Sequence, residues 1–234
     1  MSTHNIFIES FSFPGSLSGL TNTETNRETD NDGVTYVNYH LESGGTRIGH
    51  AFTSESNSVA DAASKLDTFK EYIMNPSPST ITGAGYSFGD DGQADVVSGS
   101  VLAESRFVRS NMAVRIYSIS DTPTNMLSVI TALDSLWSTV PGTTVNDTNL
   151  SLTLGQSSIG VNQPVNVNIV ATHTSQSDLQ FYQLYAPSGA FTRSSGQIVY
   201  TPDTAGTIAL SVYRHNNSGN PGTATINLTV NPPA

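Results

Sequence analysis

Apolar and polar residues alternate with a period of two along most of the chain, and only two stretches change to the three- and four-residue steps of a helix. The clearest stretch is 197–214, QIVYTPDTAGTIALSVYR. Ile198 and Tyr200 lead into Thr201-Pro202-Asp203, where proline fixes φ and removes a donor, so a strand must stop. Ala205-Gly206 closes the turn. Ile208, Leu210 and Val212 then alternate with Ala209, Ser211 and Tyr213, as in a strand with one buried face. The pattern predicts a hairpin-like unit.

The rest follows in chain order. Residues 6–13 alternate through Phe7, Phe11 and Phe13, and Pro14-Gly15 ends that strand. Residues 16–33, SLSGLTNTETNRETDNDG, have few apolar positions and no period. They read as a long polar loop whose ordering partner is a neighbouring subunit. In 34–42, Val37, Tyr39 and Leu41 share one face and Asn38, His40 and Glu42 the other. Ser43-Gly44-Gly45 turns the chain and 46–53 returns, predicting a hairpin.

A helix is expected over 57–74. Ser58 and Asp61 have capping-box spacing, and Val59, Ala62, Ala63, Leu66, Phe69 and Ile73 form an apolar stripe. Pro76 and Pro78 follow it. Strands are expected over 81–88, 94–103 and 106–120, with a turn at Gly89-Asp90-Asp91-Gly92. A second helix is expected over 122–139, with Pro123 at its first position and an apolar face of Met126, Ile130, Leu133 and Trp137. Pro141-Gly142 ends it and 143–149 reads as a polar linker. Beyond lie strand candidates at 150–154, 164–172, 179–186, 198–201, 207–214 and 223–230. That is about six or seven strands in roughly 85 residues, a sandwich signature. The fold class is therefore an α+β N-terminal domain, residues 1–145, of antiparallel sheets with two helices, followed by an all-β sandwich, residues 146–234.

Composition moves the reading away from enzymes. Hydrophobic residues make up 36% and charged residues 12%, against about a quarter charged in an ordinary soluble domain. There is no cysteine, which excludes disulfides, thiolate nucleophiles and Cys-ligated zinc. The start, MSTHNIFIESFSF, has no basic region followed by an apolar run, so no secretion signal is read there. No run of about 18 apolar residues would span a membrane. The net charge is −10. Residues 1–145 carry 16 acids against 7 bases, and residues 146–234 carry 3 against 2. Such an acidic front repels phosphates, so sequence-specific nucleic-acid binding is not expected.

Candidate chemistry is thin. No P-loop, His-Glu-x-x-His or Gly-x-Ser-x-Gly motif occurs, and Gly83-Ala84-Gly85 lacks the third glycine of a dinucleotide fingerprint. His4, His40, His50, His173 and His215 are scattered, although His40 and His50 can face each other across the hairpin. Asp30-Asn31-Asp32-Gly33 and Asp90-Asp91-Gly92 lack the spaced carboxylates of a calcium loop and read as turns. The sequons at Asn146, Asn149, Asn216 and Asn227 read as chance matches in an Asn-, Ser- and Thr-rich chain. Phe181, Tyr182, Tyr185 and Phe191 read as sandwich core before sugar platform. No catalytic, cofactor-binding or metal residue is assigned, and no cofactor is expected.

The second half resembles bacterial immunoglobulin-like modules. The residues that carry this are Val161-Asn162-Gln163-Pro164-Val165 and Tyr200-Thr201-Pro202 with Ala205-Gly206-Thr207 leading to Ser211-Val212. The resemblance covers about residues 149–234 and implies a binding or spacing module. The whole layout is similar to major tail tube proteins of long-tailed bacteriophages, in which an α+β tube-forming domain precedes such a module. It implies a non-enzymatic virion subunit, made in the host cytoplasm, that assembles with itself and other virion proteins. Rings would stack around an acidic lumen for DNA passage, to which Glu24, Glu28, Asp30 and Asp32 contribute. The Ig-like module would face outward, with weak cell-surface glycan contact. The alternatives are a capsid decoration or head–tail connecting protein, or a secreted adhesin or carbohydrate-binding protein acting outside the cell.

Overall fold

A computed structural model describes residues 3–7, 20–31, 34–71, 89–97, 101–119, 125–172, 179–216 and 221–233. The elements of the first part are β1 (Thr3–Phe7), β2 (Thr21–Thr29), β3 (Thr35–Ser43), β4 (Thr46–Glu55), α1 (Val59–Glu71), β5 (Asp91–Val97), β6 (Val101–Arg109), β7 (Met112–Ser118) and α2 (Leu127–Ser138). Those of the second are β8 (Val145–Asn146), β9 (Leu150–Leu154), β10 (Ser158–Gly160), β11 (Val165–Ala171), β12 (Leu179–Ala186), β13 (Ala190–Ser194), β14 (Gln197–Thr201), β15 (Gly206–Asn216) and β16 (Gly222–Asn231). The described residues are thus mostly antiparallel β-sheet with two short helices. Two compact units form, a terminal unit of Met1–Phe11 with Val140–Ala234 and a central unit of Ser12–Thr139.

The central unit holds one six-stranded sheet in the order β2-β3-β4-β7-β6-β5, antiparallel throughout. The hairpin expected from 34–53 forms. Gly44 and Gly45 both take positive φ (56° and 79°), the two-residue turn whose twist matches its strands. The strand expected over 106–120 is broken: Arg109 pairs with Met112 across a turn at Ser110, φ 52°. The strand expected over 81–88 lies outside the described residues.

Residues 21–29 correct the loop reading. They form β2, paired with β3 from Thr21↔Glu42 to Thr29↔Thr35 with one bulge at Glu24/Asn26. No apolar period marks them because β2 is, among the described residues, an edge strand whose described side chains are exposed or half-buried. Threonine supplies its strand preference instead. This stretch is therefore ordered by its own sheet and needs no neighbouring subunit.

α1 begins at the expected cap. Ser58 Oγ accepts the Asp61 amide at 3.2 Å and lies 2.7 Å from the Asp61 carboxylate. Of the expected stripe Ala62 is buried, but Val59 is 46% exposed and Ala63 is exposed. α2 starts later than expected, after Met126, and Pro123 lies outside the described residues. Its face holds as read: Met126, Ile130, Leu133 and Trp137 are all buried, and Trp137 sits 6.1 Å from Phe107 of β6. Asp134 ties α2 to the sheet. It accepts two bonds from Arg109 (2.9 and 3.0 Å) and one from the Gly89 amide (3.0 Å). Arg109 also reaches Asp90 at 2.8 Å, whose other oxygen accepts the Ser110 amide.

The terminal unit has two sheets around one core. One is β13-β14-β11-β9; the other is β1-β12-β15-β16-β10, with β8 also on β16. Phe191, Tyr200, Val165 and Leu152 from the first share a core with Leu184, Leu210, Val212 and Leu228 from the second. Strands expected at 150–154 and 179–186 appear with those bounds. The hairpin expected at 197–214 does not form. β14 pairs with β11 and β13 in one sheet, while β15 pairs with β12 and β16 in the other. Pro202 ends β14 in a buried position, its carbonyl accepting the Asn162 amide at 2.8 Å. The chain thus crosses between sheets, a route with the same alternation as a hairpin. Tyr182 and Phe191 lie in this core as expected, whereas Phe181 is buried outside it, stacked on His215, and Tyr185 is half-buried.

Two further departures concern the ends of this unit. β1 pairs antiparallel with β12, from Thr3↔Ala186 to Phe7↔Tyr182, so the first strand belongs with 140–234 and not with the 1–145 stretch in which the pattern placed it. The expected linker at 143–149 includes β8, parallel to β16 at Gly222 and Thr223. Asp147 there pairs with Arg214 and accepts the Asn149 amide at 3.0 Å. A Cβ at Gly222 would lie 2.5 Å from an Asp147 carboxylate oxygen and 2.9 Å from its Cβ. Gly222→Ala is therefore expected to push Asp147 off Arg214 and cost about 1–3 kcal/mol, read as a lowered urea midpoint. An unchanged midpoint would refute this packing.

Candidate functional site

Alternation gives the central sheet two different faces. Val37, Tyr39, Leu41, Ala51, Val114 and Ile116 lie on the buried one. The opposite face carries His40 from β3, His50 and Phe52 from β4, Arg115 and Tyr117 from β7, and Glu104 and Arg106 from β6. The register sets His40 opposite His50, His50 opposite Tyr117, Phe52 opposite Arg115, and Tyr117 opposite Glu104. α1 covers one end, where Ala62 packs with Val108, Ala113 and Phe52.

Beyond α1 the side chains form a patch of planar groups. His50, Phe52 and Tyr117 lie with centroids 6.1, 5.4 and 5.9 Å apart and planes within 13° of one another. Three parallel rings in such a triangle cannot all be face to face, so they form a staggered patch and not a column. His40 meets His50 edge-on at 4.8 Å. The Arg115 guanidinium lies 4.5 Å over the Tyr117 ring, the geometry of a cation–π contact. Arg47, exposed at the turn end of β4, reaches His40 Nε2 at 3.3 Å.

The charges are arranged unevenly. Arg106 and Arg115 are register partners, and one carboxylate, Glu104, takes Nε of both at 3.0 and 2.8 Å. Arg106 is 4% exposed, so a buried cation is held by a shared anion. Burial holds the His50 imidazole below its usual pKa, and His40 and Arg47 add to this. Burial likewise raises the Tyr117 phenol, against the pull of Arg115.

Because the folded protein resists protonating His50, this residue favours folding above its unfolded pKa of about 6.5, and that contribution is lost as pH falls through its lower folded value. His50→Gln is expected to flatten the fall in stability between about pH 7 and pH 5 in thermal unfolding. An unchanged slope would remove His50 from the titration.

Other candidate residues have structural work. Asp30 accepts the Val34 amide at 2.9 Å and the Tyr36 hydroxyl at 3.2 Å, with Lys65 at 3.8 Å. Glu24 is held by Arg27 at 3.0 and 2.9 Å, and Glu28 accepts from Asn26. Asp32 and His173 lie outside the described residues. His215 is buried in the terminal unit, 2.7 Å from Gln183 and stacked on Phe181 at 4.2 Å. Among the described residues no group of three or more His, Asp or Glu is placed to hold a metal, and no helix is long and apolar enough to cross a membrane. The Arg-rich, ring-bearing patch was not singled out from sequence. Its signal was only the period-two placement of Arg115 with Tyr117 and of His50 with Phe52.

No family model matches the chain, and no curated protein matches it. Among solved structures it is similar to a polysaccharide lyase at 7% identity and TM-score 0.26, over 92% of this chain and 34% of that one. The chain thus spans about a third of that protein's length, and a likeness at this level assigns neither fold nor activity.

Proposed function

We propose that the chain is a non-enzymatic structural protein of a bacteriophage virion, a tail-tube-type subunit that assembles with copies of itself. The observation that carries the reading is the central sheet. Among the described residues it has six strands, every neighbouring pair antiparallel, so the two strands at its edges there, β2 and β5, run in opposite directions. A copy placed head to tail would set β5 against the next β2 in antiparallel alignment. Repetition of that one contact closes a ring with a continuous sheet. Nine residues of β2 and seven of β5 are of comparable length. The bulge in β2 and the charges along it guard that edge against random pairing, which favours one specific neighbour.

Two further features support the reading. The central unit carries 15 acidic and 7 basic residues, net −8, leaving −2 for the rest of the chain, so a tube built from it would repel a passing DNA strand. In the terminal unit the order β9-β11-β14-β13 opposes β12-β15-β16, which fits the ABED and CFG sheets of an immunoglobulin-like module. Such a module makes this unit a spacer or contact element in the particle, and the virion is its location.

The test is sedimentation and electron microscopy of the purified chain over a wide concentration range. Rings or tubes are the expected result. Monomers persisting at millimolar concentration would overturn the proposal, and binding to assembled capsids without self-association would replace it with a decoration role.

A further inference from the structure

We propose that the His40–His50–Tyr117 face of the central sheet binds an acidic carbohydrate, a sugar chain bearing carboxylates. This inference does not depend on the assembly reading. Charge is the first argument. Arg47, Arg106 and Arg115 are three of the seven basic residues in a unit of net charge −8. They flank one patch, Arg106 from a buried position, together with Glu104, which pairs with Arg106 and Arg115, Asp95, opposite Glu104 in register, and Glu42, opposite Arg47. Three guanidinium groups thus meet three carboxylates, which leaves the patch about neutral within an acidic surface, and a proton on His50 can only add positive charge.

Shape is the second argument. Rings of His50, Phe52 and Tyr117 form a staggered, half-buried patch some two ring-widths across, which offers apolar area to the C–H faces of a sugar. Polar groups rim it: Arg47 and His40 on one side, Arg115 and the Tyr117 phenol on the other. An apolar floor with a few convergent polar groups is the usual make-up of a ligand site. A planar guanidinium suits a carboxylate because it donates two parallel bonds. A sugar acid carries one charge per ring, so a short segment meets the cationic rim without extending far over acidic surroundings. A nucleic acid strand, charged at every residue and longer in reach, meets that repulsion.

The test uses the full chain and trigalacturonate, with maltotriose as the uncharged counterpart and a single-stranded DNA 12-mer as the competing polyanion. Titration calorimetry at pH 7.5 and pH 5.5 is expected to show the acid sugar bound at least tenfold more tightly than maltotriose. Binding should tighten severalfold at pH 5.5, as His50 gains charge beside His40, Arg47, Arg115, Glu42, Glu104 and Tyr117. Arg47→Ala, an exposed position whose loss leaves the circular dichroism unchanged, is expected to weaken acid-sugar binding about tenfold, the scale of one charge-assisted bond. His50→Ala should do the same at pH 5.5 and less at pH 7.5. Equal affinity for the charged and uncharged sugars, or indifference to Arg47→Ala, would overturn the site. Tighter binding of the DNA would overturn the carbohydrate assignment. Rings that form while no sugar binds would leave assembly standing and remove this inference alone.

Discussion

Replacing Trp137 with alanine is expected to lower the stability of the central unit by about 3–5 kcal/mol, the usual cost of emptying a large buried aromatic site. Trp137 is fully buried and anchors the last turn of α2 against Phe107, in line with Ile130 and Leu133. The other face of α2 is exposed at Ser128, Thr131 and Ser135, so no second apolar surface compensates. Trp137 is the chain's single tryptophan. The variant must therefore be followed by circular dichroism in urea and by hydrogen exchange of the β6 and β7 amides. Trp137→Phe should recover part of the loss. A cost below about 1 kcal/mol would mean that α2 is not seated on β6 as described.

Arg109→Met is expected to cost about 3 kcal/mol. Its guanidinium bridges two carboxylates, but they do not count equally. The Asp90 side chain is 52% exposed and its pairing contributes little, whereas Asp134 is 13% exposed and takes a bidentate pair. Without Arg109, Asp134 keeps the bond from the Gly89 amide and must hold its charge in a poorly hydrated position. Converting Asp134 to leucine in the same chain should therefore return much of the stability, because the stranded charge goes with it. A double-mutant cycle reads this directly. If the two losses simply add, the network is a bystander.

Much of the fold could be read along the chain, and what could not has physical reasons. The face of α2 and the strands at 150–154 and 179–186 were legible because burial on one side imposes a period on the residues. β2 was not, since an edge strand with both faces polar has no period to show, and its pairing depends on β3. The crossing from β14 to β15 was hidden for a different reason. Alternation reports which side chains are buried, not which sheet buries them, and Tyr200 and Leu210 enter one core from opposite sheets. β1 was assigned to the wrong neighbours because its partner lies far along the chain. The facing of His40 and His50 rests on the irregularity at Leu41/Glu42, because the Gly44-Gly45 turn alone, with Ser43 opposite Thr46, would set His40 opposite Gly49. Arg115, Tyr117 and Glu104 join them only through β7 and β6, two strands that no local pattern links to that hairpin.

The pairing of β1 with β12 has a consequence for biosynthesis. Thr3–Phe7 leaves the ribosome before its partner Leu179–Ala186, which is made roughly 180 residues later, and at ~5–20 residues per second that is a wait of about 10–35 s. During that interval the nascent chain presents a strand without a mate, while the intervening segment can already begin to fold. Completion of the sheet is then a late, long-range closure, and it sets when the newborn polypeptide stops being a target for chaperones.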